Sequence, residues 1–279
     1  MPANPGSLRI TEGYRQRLLA LRAQVARLVA EQWGRVTLQD LDGTFQRWLR
    51  SAVLVIAGGQ YRSATLADLY LAAYLSSELG ERVPPQGLDP ARYAGQSTAG
   101  RPLAELLVPV LFSVKLALGQ GRDNDVALAS GRLRAARASV TEVTQASRGA
   151  LDDAMAADDR VIGNRRVPSP GACGACLAAA TGAIQTRDTP LKVHPSCRCV
   201  RVPVVRDAPE RVRYPTGRRM FDDLGPAGQD ALFGGRGGAA KADLIRSGAV
   251  PFEALISTDP LASGGEWITE SSVKELLSR

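Results

Sequence analysis

"GACGACLAAATGAIQTRDTPLKVHPSCRC", residues 171–199, contains all four cysteines and the only histidine of the 279-residue chain. The segment opens with the turn Cys173-Gly174-Ala175-Cys176 and closes with His194-Pro195-Ser196-Cys197-Arg198-Cys199. Each end places two or more donor atoms at one turn, and cysteines two apart on extended backbone point to the same face. The segment therefore predicts a loop whose two ends meet at a single metal site.

Zinc is the ion that these donors fit best, because thiolate and imidazole ligands select it and a closed structural site takes four of them. We predict Cys173, Cys176, His194 and Cys197 as the ligands, with Cys199 as the alternate ligand. The competing interpretation is a redox pair at Cys173 and Cys176, but such pairs usually open a helix within a βαβ unit, and no such pattern surrounds them. Three nearby basic side chains are predicted to neutralise the ligand charge: Arg187, Lys192 and Arg198.

The bulk composition is that of an ordinary globular protein, with 44% hydrophobic and 23% charged residues. Met1–Pro5 has no basic residue followed by an apolar run, so we expect no secretion signal and a reducing compartment. Closely spaced cysteines in such a compartment more often bind metal than form disulfides. The longest uncharged apolar run, Leu106–Val114, is about half of what spans a bilayer, so no membrane segment is predicted.

The net charge of +7 is concentrated around the cysteines. Residues 160–219 contain twelve Lys or Arg and three Asp or Glu, a net charge of +9, and the rest of the chain carries −2. Such a basic segment predicts contact either with phosphates or with an acidic protein surface. The sequence leaves both alternatives open.

The first half of the chain is predicted to be helical. Apolar residues recur at helical spacing over residues 8–33, and Thr37-Leu38-Gln39-Asp40 is typical of an N-cap that opens a second helix toward Ala57. Gly58-Gly59 predicts a break or a kink before a further helical stretch over residues 64–79.

Two more helices are predicted before the cysteine segment. Residues 103–118 are apolar on nearly all sides, which predicts a helix buried among others. A long helix then continues to about Asp158, and its alternating spacing of three and four favours an antiparallel bundle over a coiled-coil dimer, since alanine is a weak knob. The residues predicted to form its buried seam are Val126, Ala129, Leu133, Ala136, Val140, Val143, Ser147, Ala150 and Ala154.

The second half is predicted to consist of short elements. Cys199–Val205 alternates and is rich in β-branched residues, so it predicts a short strand, at a sheet edge because of Pro203. Short helices are predicted near residues 220–224, 227–233, 239–246, 251–256 and 272–277, with a glycine-rich hinge over residues 234–238.

These patterns predict a mainly α fold, in which an N-terminal helical bundle precedes a small zinc-stapled α+β C-terminal module. The predicted domains are a helical domain over residues 1–160, a Cys/His zinc-binding module over 161–206 and a region of short helices over 207–279.

Enzymatic motifs are weak throughout the chain. A single imidazole, His194, cannot serve both as metal ligand and as base, and no His-Glu-x-x-His motif is present. Gly234–Lys241 lacks the Ser or Thr that follows the lysine of a phosphate-binding loop. We therefore predict no catalytic residues, no small-molecule substrate and a protein that is not an enzyme.

The order of these motifs resembles the Mu F-like head morphogenesis proteins, which are minor capsid proteins of tailed bacteriophages. The resemblance is carried by Cys173-Gly174-Ala175-Cys176, by Val193-His194-Pro195-Ser196-Cys197-Arg198-Cys199, by Val202-Pro203-Val204 and by Lys241–Gly248. The motifs lie within residues 160–257, and the N-terminal half shares only its helical character with that family.

The resemblance implies a protein built in few copies into the phage head, present in the virion and, during assembly, in the host cytoplasm. Its implied partners are the portal protein and the capsid or scaffold proteins, with the N-terminal helices docking on them. Non-specific contact with packaged double-stranded DNA would need only Lys and Arg side chains. The candidate contact residues are Arg165, Arg166, Arg198, Arg201, Arg211, Arg213, Arg218 and Arg219.

A zinc-containing DNA-binding protein of cellular type is the alternative interpretation, motivated by the same basic segment. It predicts sequence-specific binding with a steep salt dependence. The assembly role instead predicts co-purification with a portal or scaffold protein.

Overall fold

The computed structural model describes residues 5–189, 191–194, 196–206, 208, 214–233, 237–259 and 267–277. Four long helices come first: α1 (Pro5–Trp33), α2 (Leu41–Leu79), α3 (Leu103–Gly119) and α4 (Asn124–Ala157). Short elements follow: β1 (Val161–Val167), α5 (Gly174–Ala178), β2 (Val200–Val205), α6 (Gly217–Asp222), α7 (Pro226–Leu232), α8 (Gly238–Arg246), β3 (Ile256–Asp259), β4 (Trp267–Glu270) and α9 (Val273–Leu277). The predicted mainly α fold with a small α+β C-terminal region is confirmed.

The chain divides into two compact units. The helical unit comprises residues 9–76 and 81–157, and the C-terminal unit comprises residues 158–279 together with residues 1–8 and 77–80. The predicted separation of residues 161–206 from 207–279 stays a prediction. No helix in the described part of the chain is long and apolar enough to cross a membrane.

The core of the helical unit is anchored by an aromatic cluster where α1 meets α2. Trp33 packs edge-on against Trp48 at a ring distance of 4.8 Å, and Phe45 lies 5.4 Å from the Trp48 ring. The Trp33 indole N–H donates to the carbonyl of Leu128, and that of Trp48 donates to Val29. The cluster therefore buries three large rings, and the indole N–H groups of both tryptophans have hydrogen-bond acceptors.

The predicted helix break at Gly58-Gly59 is wrong, because α2 runs through both glycines. A Cβ atom on Gly59 would lie 2.7 Å from the side chain of Val25 and 2.8 Å from that of Val143. Gly59 therefore serves the close approach of α1 and α4 to α2, whereas Gly58 faces open space. Glycine can form the backbone hydrogen bonds of a helix and lowers helix stability only modestly, so α2 continues through both residues.

The predicted seam of α4 holds in its second half and is wrong in its first half. Val143, Ser147, Ala150 and Ala154 are buried, but Val126 and Leu133 are 51% and 53% exposed. Ala127, Gly131 and Ala135 are buried instead. At this end, α4 turns its face of small residues toward the core because Trp33 leaves little room: even a Cβ atom on Gly131 would lie 2.5 Å from the Trp33 ring.

Helix α3 is not buried on all sides, which corrects the prediction made from its composition. Leu103, Leu107, Val110, Val114 and Ala117 form its buried face. The opposite face is open, with Phe112 61% and Leu116 63% exposed.

The C-terminal unit contains two pairs of antiparallel strands. Strand β2 pairs with β1, which the sequence analysis missed, and β3 pairs with β4, also missed. The predicted short helices are present as α6 to α9, with a 3-10 helix at Phe252–Leu255. Their common core contains Phe221, Phe252 and Leu255. Of the predicted glycine hinge, residues 234–236 lie outside the described residues.

Candidate metal centre

The first donor turn is formed at the start of helix α5. Cys173 is its N-cap residue and Cys176 lies within its first turn, so helical geometry brings the two side chains to one side. The carbonyl of Cys173 accepts from the N–H of Leu177 at 3.0 Å. Gly174 is required here, because a Cβ atom would lie 2.3 Å from the ring of Phe233.

The second donor turn joins His194 to Cys197. The N–H of Cys197 donates to the carbonyl of His194 at 3.1 Å, which closes the turn. Ser196 adopts a φ of 62° in this turn, in the left-handed region that residues other than glycine rarely occupy. The backbone is thus held in a specific shape that points both donor side chains toward the first turn.

The five predicted donors form one cluster in the structure. The Nε2 atom of His194 lies 3.2 Å from the sulfur of Cys173 and 3.1 Å from that of Cys176, and the sulfurs of Cys176 and Cys197 are 3.5 Å apart. Two groups of three donors meet at Cys176, one with Cys173 and His194, the other with Cys197 and Cys199. In each group all donor atoms lie within 4.8 Å of one another.

The donor set and its spacing suit a single tetrahedral ion. Zinc bonds of about 2.3 Å to sulfur and 2.0 Å to nitrogen place neighbouring donors about 3.5 to 3.8 Å apart. The closest donor pairs, at 3.1 to 3.5 Å, lie at or slightly below the short end of this range, and 3.5 Å is far longer than the bond of a disulfide, about 2.05 Å. All four cysteines are described and none forms a disulfide. The cluster can therefore hold a metal ion such as zinc, whereas the choice of four ligands among five stays a prediction.

Without an ion, the cluster shares its protons unevenly. Hydrogen bonding from Cys176 and His194 lowers the pKa of Cys173 to about 4, and the bond to the Cys173 sulfur raises the pKa of His194 to about 10. The hydrogen bond between the thiol of Cys176 and the sulfur of Cys173 raises the pKa of Cys176 strongly. An entering cation must displace these protons, so its affinity falls as the pH falls.

A buried polar face of the strand pair holds the loop between the two turns. Arg166 and Arg201 face each other across β1 and β2, and both are buried. The Nδ2 group of Asn164 donates to the carbonyl of Thr186 at 2.8 Å, and its Oδ1 accepts from Nε of Arg201 at 3.1 Å. Arg201 also donates to the carbonyl of Thr189. The loop carbonyls are thus satisfied by side chains of the strands.

Arg166 joins this polar face to the donor cluster. One terminal nitrogen of its guanidinium lies 3.9 Å from the sulfur of Cys176, and the other donates to the carbonyl of Lys192. Its Nε is buried and has no hydrogen-bond partner among the described residues. The side chain therefore brings a positive charge to the sulfur and links it to the backbone segment before His194, a role that sequence reasoning missed. The sequence signal that could have indicated this role is the position of Arg166, a charged residue within the strand-forming run of β1.

The three basic residues predicted to neutralise the cluster differ in their surroundings. Lys192 and Arg198 are exposed, and Arg187 forms an ion pair with Asp159 at 3.4 Å. Their role at the cluster stays a prediction, whereas Arg166 lies within hydrogen-bonding distance of a cluster sulfur.

An ion pair from the C-terminal elements lies beside the first donor turn. Nζ of Lys241 in α8 lies 3.2 Å from Oε2 of Glu270 in β4. Burial raises the pKa of Glu270, while Lys241 and the N–H of Gly174 act to lower it. The first donor turn is therefore supported by chain well beyond the cysteine segment.

The predicted nucleic-acid contacts are corrected at two positions. Arg166 and Arg201 are buried and their guanidinium groups bond to carbonyls of their own unit, so neither can reach a phosphate. Arg165 is half-buried and Arg198 is exposed. Two further candidates are exposed but lie near acids, Arg218 at 3.0 Å from Asp222 and Arg219 at 4.0 Å from Asp223. Arg211 and Arg213 lie outside the described residues.

Comparison of the chain with protein-family models, with curated proteins and with solved structures gives no match in any of the three.

Proposed function

We propose that this chain is a structural protein of a tailed-phage head, a minor capsid protein of the Mu F-like type, in which one zinc ion stabilises the C-terminal unit. In this role the helical unit binds a portal, capsid or scaffold protein. The zinc ion closes the loop of residues 171–199 and takes no part in a reaction.

The observation that carries the proposal is the convergence of both donor turns on Cys176. One ion bound there connects two turns that are eighteen residues apart in sequence, Cys176 and His194. Three of the four cysteines are buried, and Nε2 of the single imidazole lies against two sulfurs. This donor set is typical of closed structural sites, since a catalytic zinc keeps an open position for water or substrate.

The link to phage heads rests on the resemblance of the motifs. The Cys-x2-Cys and His-Pro-x-Cys-x-Cys sequences, followed by a valine-rich strand, are the residues that support it. The buried structural cluster and the long helices are consistent with a protein that works by binding other proteins.

The metal part of the proposal is tested by elemental analysis of protein purified without added metal. We expect about one zinc per chain, and a Cys176→Ser variant should retain less than about a tenth of it, because Cys176 belongs to both groups of donors. A Ser247→Ala variant, at an exposed residue of the same unit, is the matched control. Wild-type protein without bound zinc, or a Cys176→Ser variant that retains it, would contradict this part.

The assembly part is tested by location. We expect the chain in purified particles and co-purifying with a portal or scaffold protein, with and without nuclease treatment. A chain found in infected cells but absent from particles would contradict the proposal.

A cellular zinc-containing DNA-binding protein remains the second candidate, favoured by the exposed basic residues Lys192, Arg198 and Arg206 of the C-terminal unit. It requires sequence-specific binding, with affinity falling steeply as salt concentration rises. Equal affinity for all duplexes would remove this candidate. The burial of Arg166 and Arg201 reduces the basic surface on which it depends.

A further inference from the structure

An apolar groove runs between α1 and α2 on the helical unit. Its cavity volume is about 340 Å³, within the range of about 300 to 1,000 Å³ that is usual for binding pockets. The apolar and small residues that line it are Ile10, Gly13, Leu66, Leu69, Tyr70 and Ala73. Leu69 is 50% exposed, so a large apolar side chain on this wall faces solvent.

The floor of the groove is rigid. Tyr14 and Tyr70 stack with ring centroids 4.3 Å apart and planes 10° from parallel. The hydroxyl of Tyr14 bonds to Ser147 at 2.7 Å, and that of Tyr70 bonds to Thr11 at 3.2 Å. Because each ring is fixed by a hydrogen bond and by stacking, the groove is formed before any partner arrives, which reduces the entropic cost of binding.

Gly13 keeps the groove open at the expense of the helix. It lies within the 29-residue α1, where glycine is less favourable than alanine or leucine. Unlike Gly59, where a Cβ would collide with Val25, a Cβ on Gly13 would have no atom within 4 Å. Packing inside the described structure therefore does not require this glycine, and the space above it suits a side chain from outside.

The rim of the groove is positively charged. Arg9 and Arg17 line it and both are exposed, and no acidic residue occurs among the described residues that line it. Glu12, which lies between them in sequence, forms an ion pair with Arg15. The two rim arginines are eight residues apart on one helix, about 12 Å along its axis.

We propose that this groove binds an acidic amphipathic helix of a partner protein, with apolar side chains over Tyr14 and Tyr70 and carboxylates about 12 Å apart facing Arg9 and Arg17. The inference goes beyond the proposed function, because it requires neither the metal ion nor a phage head. It would hold for a portal, a scaffold protein or any other partner that presents such a helix.

The test uses two synthetic helical peptides with the same leucine face, one flanked by glutamates and the other by lysines, titrated against the full-length chain by calorimetry. We expect the acidic peptide to bind about tenfold or more tightly than the basic one. Arg17→Glu should reverse this preference. Gly13→Leu should weaken binding about tenfold or more by filling the groove, while the helix itself becomes more stable.

The matched control is Gly58→Leu. Gly58 is also an exposed helical glycine with no atom near its missing Cβ, but it does not line the groove. It should gain helix stability and keep peptide binding unchanged. Equal affinity for the two peptides, absence of binding by either, or full binding by Gly13→Leu would each overturn the proposal.

Discussion

The helical unit and the donor loop of the C-terminal unit are stabilised by different physical forces. The helical unit has a large apolar core in which Phe45, Ile56, Leu71 and Leu75 are completely buried. The loop of the C-terminal unit that carries the donors packs only a small cluster, Leu191 and Val193 with three cysteines. Its remaining interior includes Arg166 and Arg201, whose burial is costly without bonded partners.

This difference means that the units should respond to different perturbations. Apolar burial stabilises the four helices whatever the metal content of the solution. The donor loop, by contrast, brings thiols and guanidinium groups together without a large apolar core, so we expect its folding free energy to depend on the metal ion proposed for the cluster. The following predictions test that separation, from the largest effect to the smallest.

Removal of the ion should produce the largest effect, since structural zinc contributes on the order of 10 kcal/mol of apparent folding free energy. A strong chelator should therefore abolish hydrogen-exchange protection in β1, in β2 and in the loop between them. Helices α1 to α4 should keep theirs. Uniform loss of protection along the chain, or none at all, would show that the two units do not depend on different forces.

Phe45→Ala should lower the unfolding free energy of the helical unit by about 3 to 5 kcal/mol, because it removes a completely buried ring that packs beside Trp33 and Trp48. Denaturant unfolding followed by tryptophan fluorescence measures this change. Zinc content should stay at the wild-type level. Phe112→Ala, at an exposed ring of α3, is the control and should change stability by less than about 0.5 kcal/mol.

Arg166→Met should weaken metal binding by about 10- to 100-fold, as expected for a group that supports a ligand from outside the coordination shell. Cobalt titration measures the affinity, and the sulfur-to-cobalt absorption band should also shift, because a charge next to Cys176 has been removed. Arg201→Met is the matched control, since Arg201 bonds to the same loop through Thr189. It should leave the band in place. Identical spectra for both variants would reduce Arg166 to a purely structural role.

Gly59→Ala should destabilise the helical unit by about 1 to 3 kcal/mol, because its Cβ would be forced against Val25 and Val143. The neighbouring change, Gly58→Ala, should stabilise it by up to about 1 kcal/mol through helix propensity. Urea unfolding of the two variants gives the comparison directly. Two shifts of the same sign would contradict the packing of α2 described above.

Glu142→Gln should give the smallest effect. Burial raises the pKa of Glu142 above its ordinary 4.5, so the folded chain binds this proton more tightly than the unfolded chain. Ionisation thus opposes folding above the raised pKa, and the penalty disappears below about 4.5. The variant should be more stable than wild type at pH 7, and the difference should vanish as the pH falls below about 4.5. Glu105→Gln, at an exposed acid of α3, is the control for the same change of side chain.

The sequence predicts the donor cluster well because its signal is local. Cys173 and Cys176 are brought together by one helical turn, and His194 and Cys197 by one backbone turn, so their spacing alone indicates the geometry. Strand β1 carries no comparable signal. Asn164 and Arg166 disrupt its apolar pattern, and they are buried only because the loop supplies carbonyl oxygens for them to bond.

The errors in the helical unit also arise from tertiary packing. Composition ranks Val126 and Leu133 above Ala127 and Gly131 as buried residues, yet the small residues face the core because Trp33 already fills that space. In α2, Gly59 marks a close helix contact that a glycine pair in sequence cannot distinguish from a break. Residue type reports local preference, whereas the available volume depends on a partner helix far away in the chain.

The position of the cluster along the chain determines the order in which the two parts can fold during protein synthesis. All four long helices precede the donor residues Cys173 to Cys197 in the chain. A nascent chain can therefore begin to pack its helices while the ribosome is still adding the loop, since domains generally fold as units from the N-terminus. We expect capture of the proposed zinc ion to wait until both donor turns have left the exit tunnel, so a shortage of the ion during translation should yield chains with folded helices and an unfolded donor loop.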